Sequence, residues 1–266
     1  MARYQLTLAY DGTDFFGSQR QVSSTGTRKR TVQGELESAL QKLGWTGRSV
    51  LMSGRTDTGV HAMGQVASCN LDWSHSDEEL VRALNATLPN DMAVQKICIV
   101  NADFHPRFDA ISRCYRYRLF CQPVRDPIRE RFAWRIMPGV NSELLAETAR
   151  LFLGTHDFAA FGSPTTPKGS TVRTVMKANW MQTEKDGMWH FEVRADAFLY
   201  RMVRRMVFVQ IAVAQGKVSA EAIANALDTR LRDRTKVKTR VQNRVAPAPS
   251  LPDHKRLLNK FKIYQV

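Results

Sequence analysis

The 266-residue chain contains no run of 18 apolar residues, so no stretch of it reads as a membrane span. Cysteine is scarce. Cys69, Cys98, Cys114 and Cys121 are the four, and none forms a C-x-x-C pair. Each falls in a strand-like segment, which reads as buried free thiols in a reducing, cytoplasmic setting rather than as a metal or disulfide framework. The six histidines (His61, His75, His105, His156, His190 and His254) are scattered without paired spacing. Acids are not clustered either, so neither a metal site nor a metal-dependent nuclease is expected. The opening MARYQLTLAY lacks the basic head and long apolar stretch of a secretory signal. Acidic residues are also few: 25 against 39 Lys and Arg, a formal charge of +14. That balance points to a polyanionic partner such as RNA, DNA or anionic lipid.

What is present is ordinary for a folded protein. Hydrophobic residues make up 43% and charged residues 24%, which excludes disorder, collagen and coiled coil for the chain as a whole. Tyr4, Leu6, Leu8 and Tyr10 alternate as in a strand. Thr31 is placed to cap a helix that buries Val32, Leu36, Ala39 and Leu40 and stops at Gly44. Strands follow at 48–53 and 64–71. Ser76 and Glu79 form a capping box for a helix with Leu80, Leu84 and Leu88 inward, and 93–100 is a further strand. The order then nearly repeats: strand 113–121, helix 142–153, strands 172–183 and 188–194, helices 198–215 and 219–228, and a last strand in FKIYQV. Two β-α-β-β-α-β runs predict an α+β protein with two ferredoxin-like halves, residues 1–105 and 106–266.

The charge is uneven. From Asp196 onward, 15 Lys and Arg face 5 acids. Arg230, Arg232, Arg234, Lys236, Lys238 and Arg240 occupy alternate positions, so an extended chain would aim them all one way along a phosphate backbone. A second cluster, Arg28-Lys29-Arg30, follows Arg20 in the early loop. Solvated loops with no dedicated ligand are the alternative reading of both.

The most informative stretch is Ser53-Gly54-Arg55-Thr56-Asp57-Thr58-Gly59-Val60-His61-Ala62, between two predicted strands. Its glycines permit tight turns and close approach of a ligand, and it presents one carboxylate two residues from an arginine. By spacing alone, an Asp that merely caps the turn is the commoner case.

This segment resembles the G-R-T-D-A-G-V-H-A loop of the tRNA pseudouridine synthase A family. Five further matches are colinear with it. Tyr10-Asp11-Gly12-Thr13 with Gly17 and Gln19 resembles Y-D-G-T…G-W-Q. Asn85 to Pro89 resembles N-x-x-L-P, Asp103 to Phe108 resembles D-F-H-A-R-F, and Tyr115-Arg116-Tyr117 resembles Y-R-Y. Ala197-Phe198-Leu199 with Met202-Val203-Arg204 resembles A-F-L-x-x-M-V-R. The departures are Ser18 for Trp, Thr58 for Ala, Phe208 for Gly and Ser250 for Gly.

The resemblance implies a pseudouridine synthase fold, its two halves sharing a mostly antiparallel central sheet, and isomerisation of uridine to pseudouridine at positions 38–40 of the tRNA anticodon stem–loop. It implies no cofactor and no metal, tRNA as partner, and a homodimer. Asp57 is then the catalytic carboxylate, acting at C1′, at C6 or as a base. Arg204 is the cation that keeps it ionised, Tyr115 stacks on the uracil, and Arg55 helps expel the base from its stem. The RNA-binding surface is assigned to Arg20, Arg28, Lys29, Arg30 and the tract from Arg230 to Arg240. A catalytically silent tRNA-binding or RNA-chaperone relative is the rival reading. The presence of Asp57 speaks against it.

Overall fold

The first strand, β1 (Ala2–Tyr10), pairs antiparallel on both sides, with β3 (His61–Leu71) and β4 (Met92–Val100). The structure, a computed structural model, describes residues 1–21, 29–184, 187–228 and 263–265. It divides into two compact units. The first comprises residues 1–111 with the last strand, and the second begins at Ser112.

In the first unit the alternation of β1 is realised as predicted, with Tyr4, Leu6, Leu8 and Tyr10 all buried. They pack in one cluster with Val32, Leu36 and Leu40 of α1 (Val32–Lys42) and Leu80 and Leu84 of α2 (Asp77–Thr87). Both predicted caps form. Thr31 Oγ1 accepts from the Gly34 N–H at 3.3 Å. Ser76 Oγ accepts from the Glu79 N–H at 3.2 Å, while the Glu79 carboxylate accepts from the Ser76 N–H at 2.9 Å. The short β2 (Leu51–Met52) pairs antiparallel with Ser68 and Ala67 of β3. With β2 counted, the order is β-α-β-β-α-β. Asn85 of the N-x-x-L-P match exchanges two 2.8 Å hydrogen bonds with the backbone of Val94, at the register shift between β4 and β1, so its role is to hold β4.

The second unit is built on β5 (Arg113–Cys121), β8 (Val172–Gln182) and β9 (Trp189–Ala195), with β9 antiparallel between the other two. Two strands escaped the sequence: β6 (Trp134–Ile136), parallel to β5, and β7 (Gly154–Asp157), on the outer edge of β8. Three or four residues are too few to display a period. Helices α3 (Ser142–Arg150), α4 (Met202–Ala214) and α5 (Glu221–Leu227) complete the unit. Predicted from residue 198, α4 starts at Met202. Tyr200 is bridged to Ser163, its N–H donating to the Ser163 carbonyl at 3.0 Å, and Arg201 is left-handed at φ 63°. No helix continues through such a residue. The final strand β10 (Ile263–Gln265) runs parallel to β3, so the end of the chain returns to the first unit.

All four cysteines are free. Cys69 is buried, and burial pushes its thiol up to about 12. The expectation of uniformly buried thiols is corrected: Cys98 and Cys114 are half-buried, and Cys121 is exposed at the end of β5. Among the described residues, no helix is long and apolar enough to cross a membrane.

Candidate active site

The Asp57 loop joins β2 to β3, and the Tyr10–Ser18 segment is folded against it. Two motifs separated by about forty residues of sequence thus become one structure. Tyr10 OH and Thr56 Oγ1 are 2.9 Å apart. Ser18 Oγ accepts from the Thr56 N–H at 2.9 Å, and the Ser18 N–H donates to the Thr56 carbonyl at 3.0 Å. Gln65 Nε2 donates to the Gly54 carbonyl at 2.7 Å, and the Ser53 N–H to the Val66 carbonyl at 2.9 Å. Inside the loop, the Val60 N–H closes a turn on the Asp57 carbonyl at 3.1 Å, with Gly59 at φ 75°.

Glycine is required at two contacts. A Cβ on Gly12 would stand 2.0 Å from the Val60 carbonyl oxygen. A Cβ on Gly17, whose φ is +86°, would stand 2.8 Å from the Thr56 carbonyl oxygen. Any side chain at either position would lever the loop off its support. Asp11 fastens the far end. Its Oδ1 accepts from the Thr13 N–H and hydroxyl at 3.0 and 2.6 Å and lies 2.9 Å from Nδ1 of the buried His61. That ring nitrogen is also 3.2 Å from the Gly12 N. A protonated Nδ1 donates to Asp11, and a bare one accepts from Gly12.

The outcome is a loop whose backbone is held at Gly54, Thr56 and Val60 while its tip faces outward. Thr56 is buried, Asp57 half-buried, and Arg55 and Thr58 exposed. The sequence singled out Asp57 and Arg55 but missed Tyr10, Ser18 and Thr56 as their support. Ser18 was visible as a departure from the family, though its partner was not.

The other two expected site residues lie in the second unit. Tyr115 is half-buried near the start of β5, with the Phe198 ring edge-on at 4.9 Å. Arg204 lies in the first turn of α4 and is 5% exposed, so it is no ordinary surface helix arginine. It acts on Tyr117, two residues beyond Tyr115. Burial pushes the Tyr117 hydroxyl well above its ordinary value, and the Arg204 charge pulls the other way.

Of the expected RNA-binding cations, Arg28 and the tract Arg230, Arg232, Arg234, Lys236, Lys238 and Arg240 lie outside the described residues. Arg20 is half-exposed and reaches Glu37 at 3.0 Å. Lys29 sits over the Phe16 ring, 5.2 Å from its centroid. Arg30 is committed to the fold. It grips Asp91 through two bonds of 2.7 and 2.8 Å, meets Glu35 at 3.0 Å, and lies 4.2 Å over the Phe15 ring. Among the described residues, no group of three or more His, Cys, Asp or Glu gathers in a metal-binding arrangement.

Comparison with known proteins identifies the family. The profile of a family described as tRNA pseudouridine synthase matches residues 7–109 and 148–247. Arg55, Asp57 and Arg204 fall inside the matched segments, and Tyr115 falls between them. A protein named tRNA pseudouridine synthase A from Methylacidiphilum infernorum is 43% identical over 83% of this chain and 84% of its own length. Proteins of the same name from Solidesulfovibrio magneticus and a Geobacillus species are 41% and 38% identical. Each alignment covers 84% of this chain, and 82% and 88% of the respective relative.

Proposed function

The chain belongs to the tRNA pseudouridine synthase family, and from that premise we propose that it converts uridines 38–40 of the tRNA anticodon stem–loop to pseudouridine, with Asp57 as the reacting carboxylate. It is an isomerase acting on tRNA. The reaction breaks the N1–C1′ bond, turns the uracil and joins C5 to C1′. The proton leaving C5 is balanced by one gained at N1, so nothing is oxidised or hydrolysed. Attack at C1′, attack at C6 and action as a base share one requirement, an ionised carboxylate held still.

The observation that carries this reading is the clamped loop. Tyr10, Ser18 and Gly17 immobilise Thr56, and the next side chain is Asp57. Holding a nucleophile in its reacting geometry lowers a barrier without any new contact to substrate. Arg55, exposed on the same loop, takes the role of expelling the target base, a step any enzyme acting on a stacked base must arrange. Tyr115 is assigned to stack on the uracil and Arg204 to keep the carboxylate ionised. Both assignments come from the sequence motifs. A half-buried phenol and a nearly fully buried guanidinium are compatible with them, since buried guanidinium groups are retained where they are paired. The surplus positive charge supplies long-range attraction to tRNA. The reading also includes a homodimer and a cytoplasmic site of action, where tRNA is available.

The test is Asp57→Asn. Tritium release from C5-labelled uridine in tRNA should be abolished, with tRNA affinity within about threefold of wild type, because an amide preserves shape and loses one charge. Undiminished release from this variant would remove the reading. Mapping pseudouridine in tRNA from cells lacking the protein checks the positions: loss elsewhere than 38–40 would reject that assignment.

A further inference from the structure

Phe16 is 47% exposed, although its neighbour Phe15 is 1% exposed and packs edge-on against Tyr10 at 6.1 Å. The backbone at Phe15 is extended (φ −99°, ψ 137°), so the two rings point to opposite sides. A single exposed aromatic is unremarkable by itself. Three features set this one apart. Both of its backbone groups are engaged: its N–H donates to the Arg30 carbonyl at 2.9 Å, and its carbonyl accepts from Gln21 Nε2 at 2.7 Å. A cation, Lys29 Nζ, lies over the ring at 5.2 Å, and the Lys29 N–H is itself tied to the Gln21 carbonyl at 3.2 Å. Finally, the next residue is Gly17, which touches the reactive loop. The position of its missing Cβ is 2.8 Å from the Thr56 carbonyl oxygen and 3.5 Å from the Asp57 carbonyl carbon.

We propose that Phe16 and Lys29 form a platform for an unpaired nucleobase of the bound tRNA beside the target uridine, the ring stacking on the base and the ammonium reaching its phosphate. A ring fixed in advance at the surface loses little freedom on stacking. Aromatic stacking accepts any base, so the platform grips a flanking nucleotide without dictating its identity. Of the early basic cluster, Lys29 then serves RNA while Arg30 serves the fold. The inference rests on the Asp57 loop facing the target nucleotide.

The experiment measures tRNA affinity and KM for Phe16→Leu, Phe16→Tyr and Lys29→Ala across a salt series. Phe16→Leu should weaken binding and raise KM about ten- to a hundredfold, the usual effect of removing one stacked ring, with an unchanged salt slope. Phe16→Tyr should stay within about threefold of wild type. Lys29→Ala should lower the salt slope by about 0.7, the value for one single-strand phosphate contact. Wild-type affinity in Phe16→Leu, or equal weakening in Phe16→Tyr, would overturn the stacking. An unchanged slope in Lys29→Ala would overturn the phosphate contact. Asp57→Asn separates the two levels. If that variant is dead while Phe16→Leu binds normally, the platform alone is wrong; if it is active, the reading of the loop is wrong.

Discussion

Ser18 brackets Thr56: its hydroxyl accepts the Thr56 N–H at 2.9 Å and its own N–H donates to the Thr56 carbonyl at 3.0 Å. Ser18 is wholly buried, and Thr56 nearly so. The motif that this segment resembles carries Trp here, and an indole has no acceptor for that N–H. In this protein the hydroxyl is part of what holds Asp57 in place.

Replacing Ser18 by Ala should therefore cost about 1–3 kcal/mol of stability, the penalty for a buried N–H left unpaired. Single-turnover pseudouridine formation should slow about tenfold, a fraction of the hundredfold that a 1 Å misplacement can cause. Ser18→Thr keeps the acceptor and should retain most of the rate. Tyr10→Phe removes the other support of Thr56, so its effect combined with Ser18→Ala should depart from additivity. A full wild-type rate in Ser18→Ala would show that the loop does not need this bracket.

The glycines separate strain from collision. Gly44 has φ +85° with nothing within 4 Å of its missing Cβ, so Gly44→Ala should cost only about 1 kcal/mol, the price of left-handed backbone. Gly17→Ala adds a collision with Thr56, and Gly12→Ala a closer one with Val60. Both should lose more stability than Gly44→Ala in urea unfolding, and both should lose activity, which Gly44→Ala should keep.

The Arg30–Asp91 pair predicts an acid-sensitive contribution. Hydrogen bonding to Arg30 holds the Asp91 carboxyl below its ordinary value, against the opposing effect of burial. A carboxyl with a lowered folded-state pKa stabilises fully above the unfolded value and loses that contribution as the pH falls through the folded one. Asp91→Asn should cost about 2 kcal/mol at pH 7, in the range for charge-assisted bonds. The gap to wild type, read from denaturant midpoints, should narrow as the pH drops through the carboxylate range.

The alternating basic tract from Arg230 to Arg240 yields a prediction from sequence alone. Neutralising Arg230, Arg234 and Lys238 together should flatten the salt dependence of tRNA affinity by about 0.9 for each lost duplex phosphate contact. An unchanged slope would mark the tract as solvated chain.

Much of the first unit was legible because its signals are local. A threonine or serine cap lies within three residues of the N–H it satisfies, and the alternation of Tyr4 to Tyr10 is a property of one strand. The Asp57 loop stood out in the sequence for a different reason. It keeps glycines and a charged pair at spacings that match a family, and those spacings survive without knowledge of any partner. What remained hidden depended on partners distant in sequence. Arg30 looks like a free cation until Asp91, 61 residues away, is placed against it. Ser18 looks like a defect until Thr56, 38 residues away, supplies the N–H it accepts. The start of α4 shifted because a left-handed Arg201 and a bridge to Ser163 occupy what local propensity would have made helix. Propensity and motif thus select the elements and single out the Asp57 loop. Whether a polar side chain serves the fold or the substrate is decided by which donors and acceptors folding brings within 3 Å of it.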